Sequence, residues 1–125
     1  MKLKARQPHP ARRAKDNEKP LSVRSFCERY AVKREVFTRL TGFSSRAVAN
    51  WAQGREPGDP AQKQIRETSR LFDALSNVIA SQEIGPWLQR SNAAFDGSTP
   101  LQVIERGEAD RLWRMIYELE SGQPD

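Results

Sequence analysis

The sequence predicts an all-α protein, on three observations. From residue 22 onward, apolar residues recur at intervals of three and four, which is the spacing of one buried helix face. Asp59-Pro60 and Thr99-Pro100 are helix-start signals, because a capping side chain is followed by a proline that fits the first helical turn. No segment alternates apolar and polar residues for long enough to build a sheet.

Two amphipathic helices are expected at the start of this region. Ser22 is the N-cap of the first helix, since its hydroxyl can accept a free backbone N–H. The inward residues of that helix are Val23, Phe26, Cys27 and Tyr30. The second helix runs from Lys33 to about Leu40 and buries Val36, Phe37 and Leu40.

The segment Gly42–Gly54 predicts a tight turn followed by a third helix. Gly42 can adopt the positive φ that the turn needs, and Ser44 is a natural N-cap for a helix that ends near Gln53. Its buried stripe is expected to consist of Ala47, Val48 and Trp51. The outward residues are short or hydrogen-bonding, as a helix lying against base edges requires: Ser45, Arg46, Ala49, Asn50 and Gln53. The pattern favours a helix-turn-helix that binds a DNA major groove, and an ordinary two-helix corner is the alternative.

A long helix is expected to begin with Asp59 as N-cap and Pro60 in the first turn, and to reach about Ser81. Leu71 and Val78 widen its apolar stripe, which otherwise consists of Ile65, Thr68, Phe72, Leu75 and Ile79. Two apolar columns suit a helix that joins the halves of the protein and also supports a dimer. A single broad core face explains them equally well.

The remaining elements are expected to be short. Gly85-Pro86 opens a helix that carries Trp87 and Leu88, and residues 92–97 form a loop. Thr99, Pro100 and Gln102 form a capping box at the start of a brief helix that ends at Gly107. The last helix is expected from about Glu108 to Glu120, with the buried residues Leu112, Trp113, Ile116 and Leu119.

Charge divides the chain into a basic and an acidic part. Residues 1–20 hold seven Lys/Arg and two Asp/Glu, residues 21–58 hold seven and three, and residues 59–125 hold seven and eleven. A basic half with a helix-turn-helix suits DNA, whose phosphates release counterions on binding, whereas an acidic half needs a different partner. Residues 1–20 are also rich in proline and poor in apolar residues, which predicts a disordered basic arm that either lies along DNA or is only solvated.

Composition argues against several classes of protein. Cys27 is the one cysteine and His9 the one histidine, so we expect no disulfide, no metal site and no histidine-based catalysis. No nucleophile with a base and no phosphate-binding glycine loop is recognisable, so we expect neither an enzyme nor a cofactor. No apolar run is long enough for a membrane span or a secretory signal, and the cytoplasm is the expected location.

The residues Gly42, Phe43, Ser44, Val48, Trp51 and Gly54 resemble an Xre-type (Cro/repressor-like) helix-turn-helix. The resemblance implies that the DNA-contacting residues are Ser44, Ser45, Arg46, Ala49, Asn50 and Gln53. One departure is that Thr41 stands where the family has leucine, with Leu40 one place earlier. The first helix of the motif is therefore expected in a slightly different register.

The second half carries a more specific pattern, formed by Trp87-Leu88, Asn92-Ala-Ala-Phe95-Asp-Gly97, Thr99-Pro100-Leu101, Ile104 and Gly107. It resembles the C-terminal toxin-binding domain of Xre/MbcA/ParS antitoxins, with Ala93 where the family favours proline. After the arm at 1–20, which composition predicts, the two resemblances imply a DNA-binding domain at 21–58 and a linking helix with a toxin-binding domain at 59–125.

The function implied by this resemblance is that of an antitoxin in a type II toxin–antitoxin system. Such proteins bind and block a RES-domain toxin, which consumes NAD or transfers ADP-ribose, and they repress their own operon by binding operator DNA as homodimers. The expected toxin contacts are Trp87, Asn92, Phe95, Pro100, Glu108, Arg111, Arg114 and Glu118. Taken one by one, the aromatic ones among them are expected as core residues of a small helical domain before they are expected as contacts. A stand-alone helix-turn-helix regulator, whose C-terminal part only dimerises, is the alternative function.

Overall fold

The computed structural model describes residues 22–122, and the predicted arm at 1–20 lies outside them. This part of the chain is helical and contains no strand, so the predicted all-α class is confirmed. Its helices are α1 (Val23–Tyr30), α2 (Arg34–Thr41), α3 (Ser45–Ala52), α4 (Asp59–Leu75), α5 (Ser81–Leu88), α6 (Pro100–Glu105) and α7 (Ala109–Glu120). A short 3-10 helix, Ala93–Phe95, lies between α5 and α6.

Several helix starts form as the sequence predicts. The Ser22 and Ser44 hydroxyl oxygens accept the backbone N–H groups of Ser25 and Ala47, each at 3.1 Å. The Thr99 hydroxyl accepts the Gln102 N–H at 3.0 Å, while the Gln102 side chain accepts the Thr99 N–H at 2.9 Å, which completes the predicted capping box. These contacts satisfy backbone donors that a helix leaves free at its N-terminus.

The predicted long helix is wrong in two respects. Its N-cap is Gly58, so that Asp59 and Pro60 both lie in the first turn, where a carboxylate still complements the helix dipole. It also ends at Leu75 rather than near Ser81, because the chain turns over residues 76–79. The Ser76 hydroxyl donates to the Asp73 carbonyl oxygen at 2.6 Å, a local bond that competes with the helix.

The helix predicted to open at Gly85-Pro86 begins earlier, at Ser81. Gly85 lies inside α5 and packs directly against the end of α1, where a Cβ atom at residue 85 would stand 1.9 Å from the Ala31 carbonyl oxygen. This glycine is therefore explained by close backbone approach, not by a turn. The Gln82 side chain strengthens the same contact, since its amide donates to the Glu28 and Arg29 carbonyl oxygens at 2.8 Å each.

Residues on both sides of the predicted boundary at 58 share one hydrophobic core. Phe26 of α1 packs against Phe72 of α4, with ring centroids 4.8 Å apart, and against Phe37 of α2 at 5.3 Å. The Gln64 amide donates to the Thr41 carbonyl oxygen at 2.7 Å. The two predicted parts thus pack as one body over residues 22–122, and their division into separate functions stays a prediction.

Two predicted core stripes differ from the structure. In α3 the buried residues are Val48 and Ala52, while Ala47 and Trp51 are half-buried. In α7 the buried residues are Leu112 and Ile116, and Trp113, predicted to be buried, is 43% exposed. Trp113 follows Leu112 by one residue, which rotates its side chain about 100° away from the centre of the buried face.

No helix within residues 22–122 combines the length and the apolarity that crossing a membrane requires.

Candidate functional site

The turn between α2 and α3 is closed by a buried threonine. Gly42 has a φ of +80°, and its N–H donates to the Thr38 carbonyl oxygen at 2.7 Å. The Thr41 hydroxyl donates to the Phe37 carbonyl oxygen at 2.8 Å and accepts the Phe43 N–H at 3.3 Å. Thr41, the departure from the helix-turn-helix family, therefore uses its hydroxyl to fix the path of the chain into α3.

The predicted DNA-contacting residues lie at the start and along one face of α3. Arg46, Asn50 and Gln53 are exposed and spaced by four and three residues, and Ala49 is half-buried on the same face. Ser44 and Ser45 are exposed at the N-terminal end, where the Ser44 oxygen caps the helix. The structure thus brings the six residues together on one surface of small and hydrogen-bonding side chains.

Phe43 and Trp51 support the orientation of α3. Their rings meet edge to face, with centroids 4.9 Å apart and an interplanar angle of 89°. Both residues are half-buried and pack against the core. This pair ties the turn to the second half of α3, so that the exposed face is presented by a helix fixed at both ends.

Exposed basic residues lie on α3 and on the segments next to it in the chain. Lys33 and Arg34 at the start of α2, Arg46 in α3 and Arg55 beyond α3 are all exposed. Arg39 differs, because its guanidinium forms a two-fold hydrogen-bonded ion pair with the Glu105 carboxylate of α6, with both N–O distances 2.8 Å. The hydrogen bond from Arg39 lowers the pKa of Glu105 and raises that of Arg39. Arg39 therefore links α2 to the second half of the chain.

Four of the predicted toxin contacts pack or form hydrogen bonds within this chain. Trp87, Phe95 and Pro100 are buried, with Trp87 6% exposed and Phe95 2% exposed. The half-buried Asn92 side chain accepts the Ala94 N–H at 2.9 Å and caps the 3-10 helix. These residues lie in α5, in the loop that follows it and at the start of α6, and direct contact with a partner stays a prediction for them.

The other four predicted contacts surround one side of α7. The Arg111 guanidinium lies 3.1 Å from the Glu108 carboxylate, 3.4 Å from that of Asp96, and 5.6 Å from the centre of the Phe95 ring. Arg114 and Glu118 are exposed on the following turns of the helix. Arg111 is thus held in place by its neighbours, and Arg114 and Glu118 extend the same polar surface.

A second surface, which the sequence pattern did not predict, lies on the opposite side of α7. Trp113 and Tyr117 are exposed, Tyr117 by 72%, and they lie one helical turn apart. Trp113 borders a cleft of about 460 Å³ that is also lined by Leu40, Gln64, Glu67, Thr68, Arg70, Leu71, Phe72, Ile104 and Ala109. The available signal was the width of the α7 stripe, since Leu112, Trp113, Ile116, Tyr117 and Leu119 exceed what one buried face holds.

The residues in 22–122 include no group of three or more His, Cys, Asp or Glu arranged to hold a metal ion. Cys27 is half-buried, and burial raises the pKa of its thiol to about 11. The thiolate is the reactive form of cysteine, so this side chain acts as a packing residue near neutral pH.

Comparison with known proteins gives a consistent result. No protein-family model matches the chain. The mycobacterial cidal antitoxins MbcA of Mycobacterium bovis and of two Mycobacterium tuberculosis strains are each 24% identical to it over 102 residues, which cover 81% of this chain and 90% of each relative. The chain is similar to MbcA. Since 102 residues exceed either predicted part, the similarity to MbcA spans the boundary at residue 58.

The fold agrees with the sequence similarity. The structure matches a chain in the crystal structure of the M. tuberculosis MbcT-MbcA toxin-antitoxin complex with a TM-score of 0.66 and 24% identity, over 82% of this chain and 94% of that chain. The resemblance to an MbcA-type protein, predicted from the Trp87–Gly107 pattern, is confirmed by these two findings.

Proposed function

We propose that this protein is an antitoxin that binds and blocks a RES-domain toxin and represses its own operon through α2 and α3. The observation that carries the proposal is the similarity to MbcA over 81% of the chain, together with the match to a chain of a toxin–antitoxin complex. The proposed role is one of binding: the protein blocks a reaction catalysed by its partner and carries out none itself.

The polar side of α7 is the proposed toxin contact. Arg111 is positioned by Glu108, Asp96 and the Phe95 ring, so little side-chain entropy is lost when it binds a partner. Arg114 and Glu118 add charges of both signs that are accessible to solvent. Fixed arginines of this kind are frequent energetic centres of protein interfaces.

The exposed face of α3 is the proposed operator contact. Arg46 suits a guanine edge and Asn50 suits an adenine edge, because each can form paired hydrogen bonds in the major groove. Lys33, Arg34 and Arg55 supply charge for the phosphates on either side. The exposed face of α3 also favours the alternative function, a stand-alone regulator, because such a regulator needs this face but no toxin.

Co-expression distinguishes the two functions. Cells that express the cognate RES-domain toxin are expected to grow when the full chain is supplied and to stop growing when it is absent. The double charge reversal Arg111→Glu/Arg114→Glu is expected to abolish this protection, whereas Arg46→Ala leaves it intact. Equal toxicity with and without the full chain overturns the antitoxin proposal, and operator binding without protection then supports the regulator.

A further inference from the structure

Helix α7 exposes two aromatic side chains beside its buried stripe. Trp113 and Tyr117 are 43% and 72% exposed, and they lie one helical turn apart on one side of the helix, which we call the aromatic side. Within residues 22–122, no other large apolar side chain is as exposed. Exposed aromatic residues that lie next to each other mark a binding surface more often than scattered ones do.

The aromatic side adjoins a cleft of about 460 Å³ between α4 and α7. Leu71 and Phe72 of α4, Ile104 of α6 and Trp113 itself provide the apolar lining of this cleft. A proline-rich segment fits a groove with aromatic walls, because its rings pack against aromatic side chains and its extended conformation exists before binding. Such a segment loses little conformational entropy when it binds.

We infer that this cleft and the aromatic side bind the segment Pro8-His9-Pro10 of the same chain's N-terminal arm. The arm, residues 1–20, lies outside the described residues. In its sequence the two prolines stand between basic residues, with Arg6 before them and Arg12 after them. The inference goes beyond the proposed function, which assigns other surfaces to the toxin and to DNA. An arm that occupies the cleft cannot lie along DNA at the same time, so the cleft withholds basic charge from DNA.

The start of α1 places the arm near the cleft. Ser22 is four residues from Phe26, which is about 6 Å along the helix. The Phe26 ring packs against the Phe72 ring, with centroids 4.8 Å apart, and Phe72 lines the cleft. The chain from Pro10 to Ser22 spans up to about 40 Å when it is extended, which is more than this path requires. A tether of this length also gives the segment an effective concentration on the order of 1 mM, so that even a weak contact forms.

Charge favours this basic segment as the occupant. The arm carries seven Lys/Arg and two Asp/Glu. The charged residues that line the cleft are Glu67 and Arg70. Helical spacing adds Asp110 and Glu120 on the aromatic side of α7, and Asp110 has a weak ion pair with Arg114 at 3.9 Å. Carboxylates therefore outnumber guanidinium groups around the aromatic rings, which complements a segment of positive charge.

Paramagnetic broadening of indole signals in the isotope-labelled, full-length protein tests the inference. A spin label is attached in an Ala14→Cys/Cys27→Ala variant, where it is close to the proline segment without being part of it. The Trp113 indole N–H signal, identified by its absence in Trp113→Phe, is expected to lose most of its intensity and more than the signal of the buried Trp87. Adding Pro8→Ser/Pro10→Ser should restore the Trp113 signal, whereas the matched change Pro20→Ser should not.

The cleft is tested from its α4 wall by a charge reversal. Glu67→Lys is expected to restore the Trp113 signal in the spin-labelled protein, because it places positive charge opposite the basic segment. Glu83→Lys, which reverses an exposed carboxylate on α5, is the matched control and should leave the broadening unchanged.

The inference is overturned by a Trp113 signal that the label does not broaden, or by broadening that persists in Pro8→Ser/Pro10→Ser or in Glu67→Lys. It is also overturned if the broadening arises only when the label is on a separate molecule mixed with the isotope-labelled one, which would assign the cleft to another copy. The proline positions lie outside residues 22–122, so these variants leave the helical body intact. The measurement uses neither DNA nor toxin, and its outcome is therefore independent of the proposed function.

Discussion

Gly85 of α5 touches the backbone of Ala31 at the end of α1, so closely that a methyl group on residue 85 would stand 1.9 Å from the Ala31 carbonyl oxygen. Ala31 itself has a φ of +57°, and its N–H donates to the Cys27 carbonyl oxygen, which closes α1. The contact joins the end of α1 to the helix that follows the turn after α4. The structure of residues 22–58 therefore depends on residues that follow the predicted boundary at 58.

Replacing Gly85 by alanine is expected to destabilise the whole protein, because the new methyl group must push α5 away from α1. Overpacking of this kind costs about 1–3 kcal/mol. The measurement is the free energy of unfolding by chemical denaturation. Gly58→Ala is the control, since a Cβ at residue 58 meets no atom within 4 Å and the residue has a φ of −71°. Equal stability of the two variants would show that the close approach does not constrain the fold.

Replacing Thr41 by valine is expected to cost about 1 kcal/mol of stability, because the hydroxyl that accepts the Phe43 N–H is lost from a buried position. The variant should also bind operator DNA less tightly, since the entry of the chain into α3 is no longer fixed. Thermal unfolding and fluorescence anisotropy measure the two effects. Thr38→Val, which removes a hydroxyl from a less buried position on the same helix, is the control and should change little. A Thr41→Val protein with unchanged stability and operator affinity would show that Gly42 alone fixes the turn.

The Arg39–Glu105 ion pair is expected to contribute less than about 1 kcal/mol, because both side chains are partly exposed and screened by solvent. Since the folded-state pKa of Glu105 lies below its unfolded value, the contribution is fully present above about pH 4.3 and is lost as the pH falls through the folded pKa. Wild type and Glu105→Gln should therefore differ in stability at pH 7 and converge in acid. A difference that persists or grows in acid would contradict this assignment.

Arg46 and Arg34 are expected to affect DNA binding in different ways. If Arg46 contacts a guanine edge, Arg46→Ala should cost about 1–3 kcal/mol on the operator and little on unrelated DNA. Arg34→Ala should weaken binding to both and reduce the dependence on salt, because phosphate contacts carry no sequence information. Anisotropy titrations at two salt concentrations separate these outcomes. Full operator affinity of Arg46→Ala would show that α3 is not the recognition helix.

Local signals in the sequence predicted three of the helix starts correctly. The Ser22, Ser44 and Thr99 caps depend on atoms within three residues, so that the sequence pattern contains the whole interaction. The end of α4 at Leu75 was not predictable in this way, because Val78 and Ile79 continue the apolar spacing and are buried after the chain has left the helix. Burial alone does not distinguish a helix from a turn that follows it.

In the candidate sites, too, features set by local spacing were predictable and features set by packing were not. The exposure of Ser45, Arg46, Asn50 and Gln53 follows from helical spacing and was predicted, whereas Ala49 is half-buried. Trp87 and Phe95 are residue types that occur both in cores and in interfaces. Only the packing of α5, α6 and α7 shows that they are buried here. Trp113 was wrongly predicted to be buried. It follows Leu112 by one residue, and this step of helix rotation leaves its side chain exposed.

The most direct test of the proposed antitoxin function uses the purified cognate RES-domain toxin and its NAD-consuming or ADP-ribosylating activity. Adding the full-length protein is expected to abolish this activity at a fixed molar ratio. The Arg111→Glu/Arg114→Glu variant is expected to inhibit the toxin only in large excess or not at all. Toxin activity that is unchanged by a saturating amount of the wild-type protein would contradict the proposal.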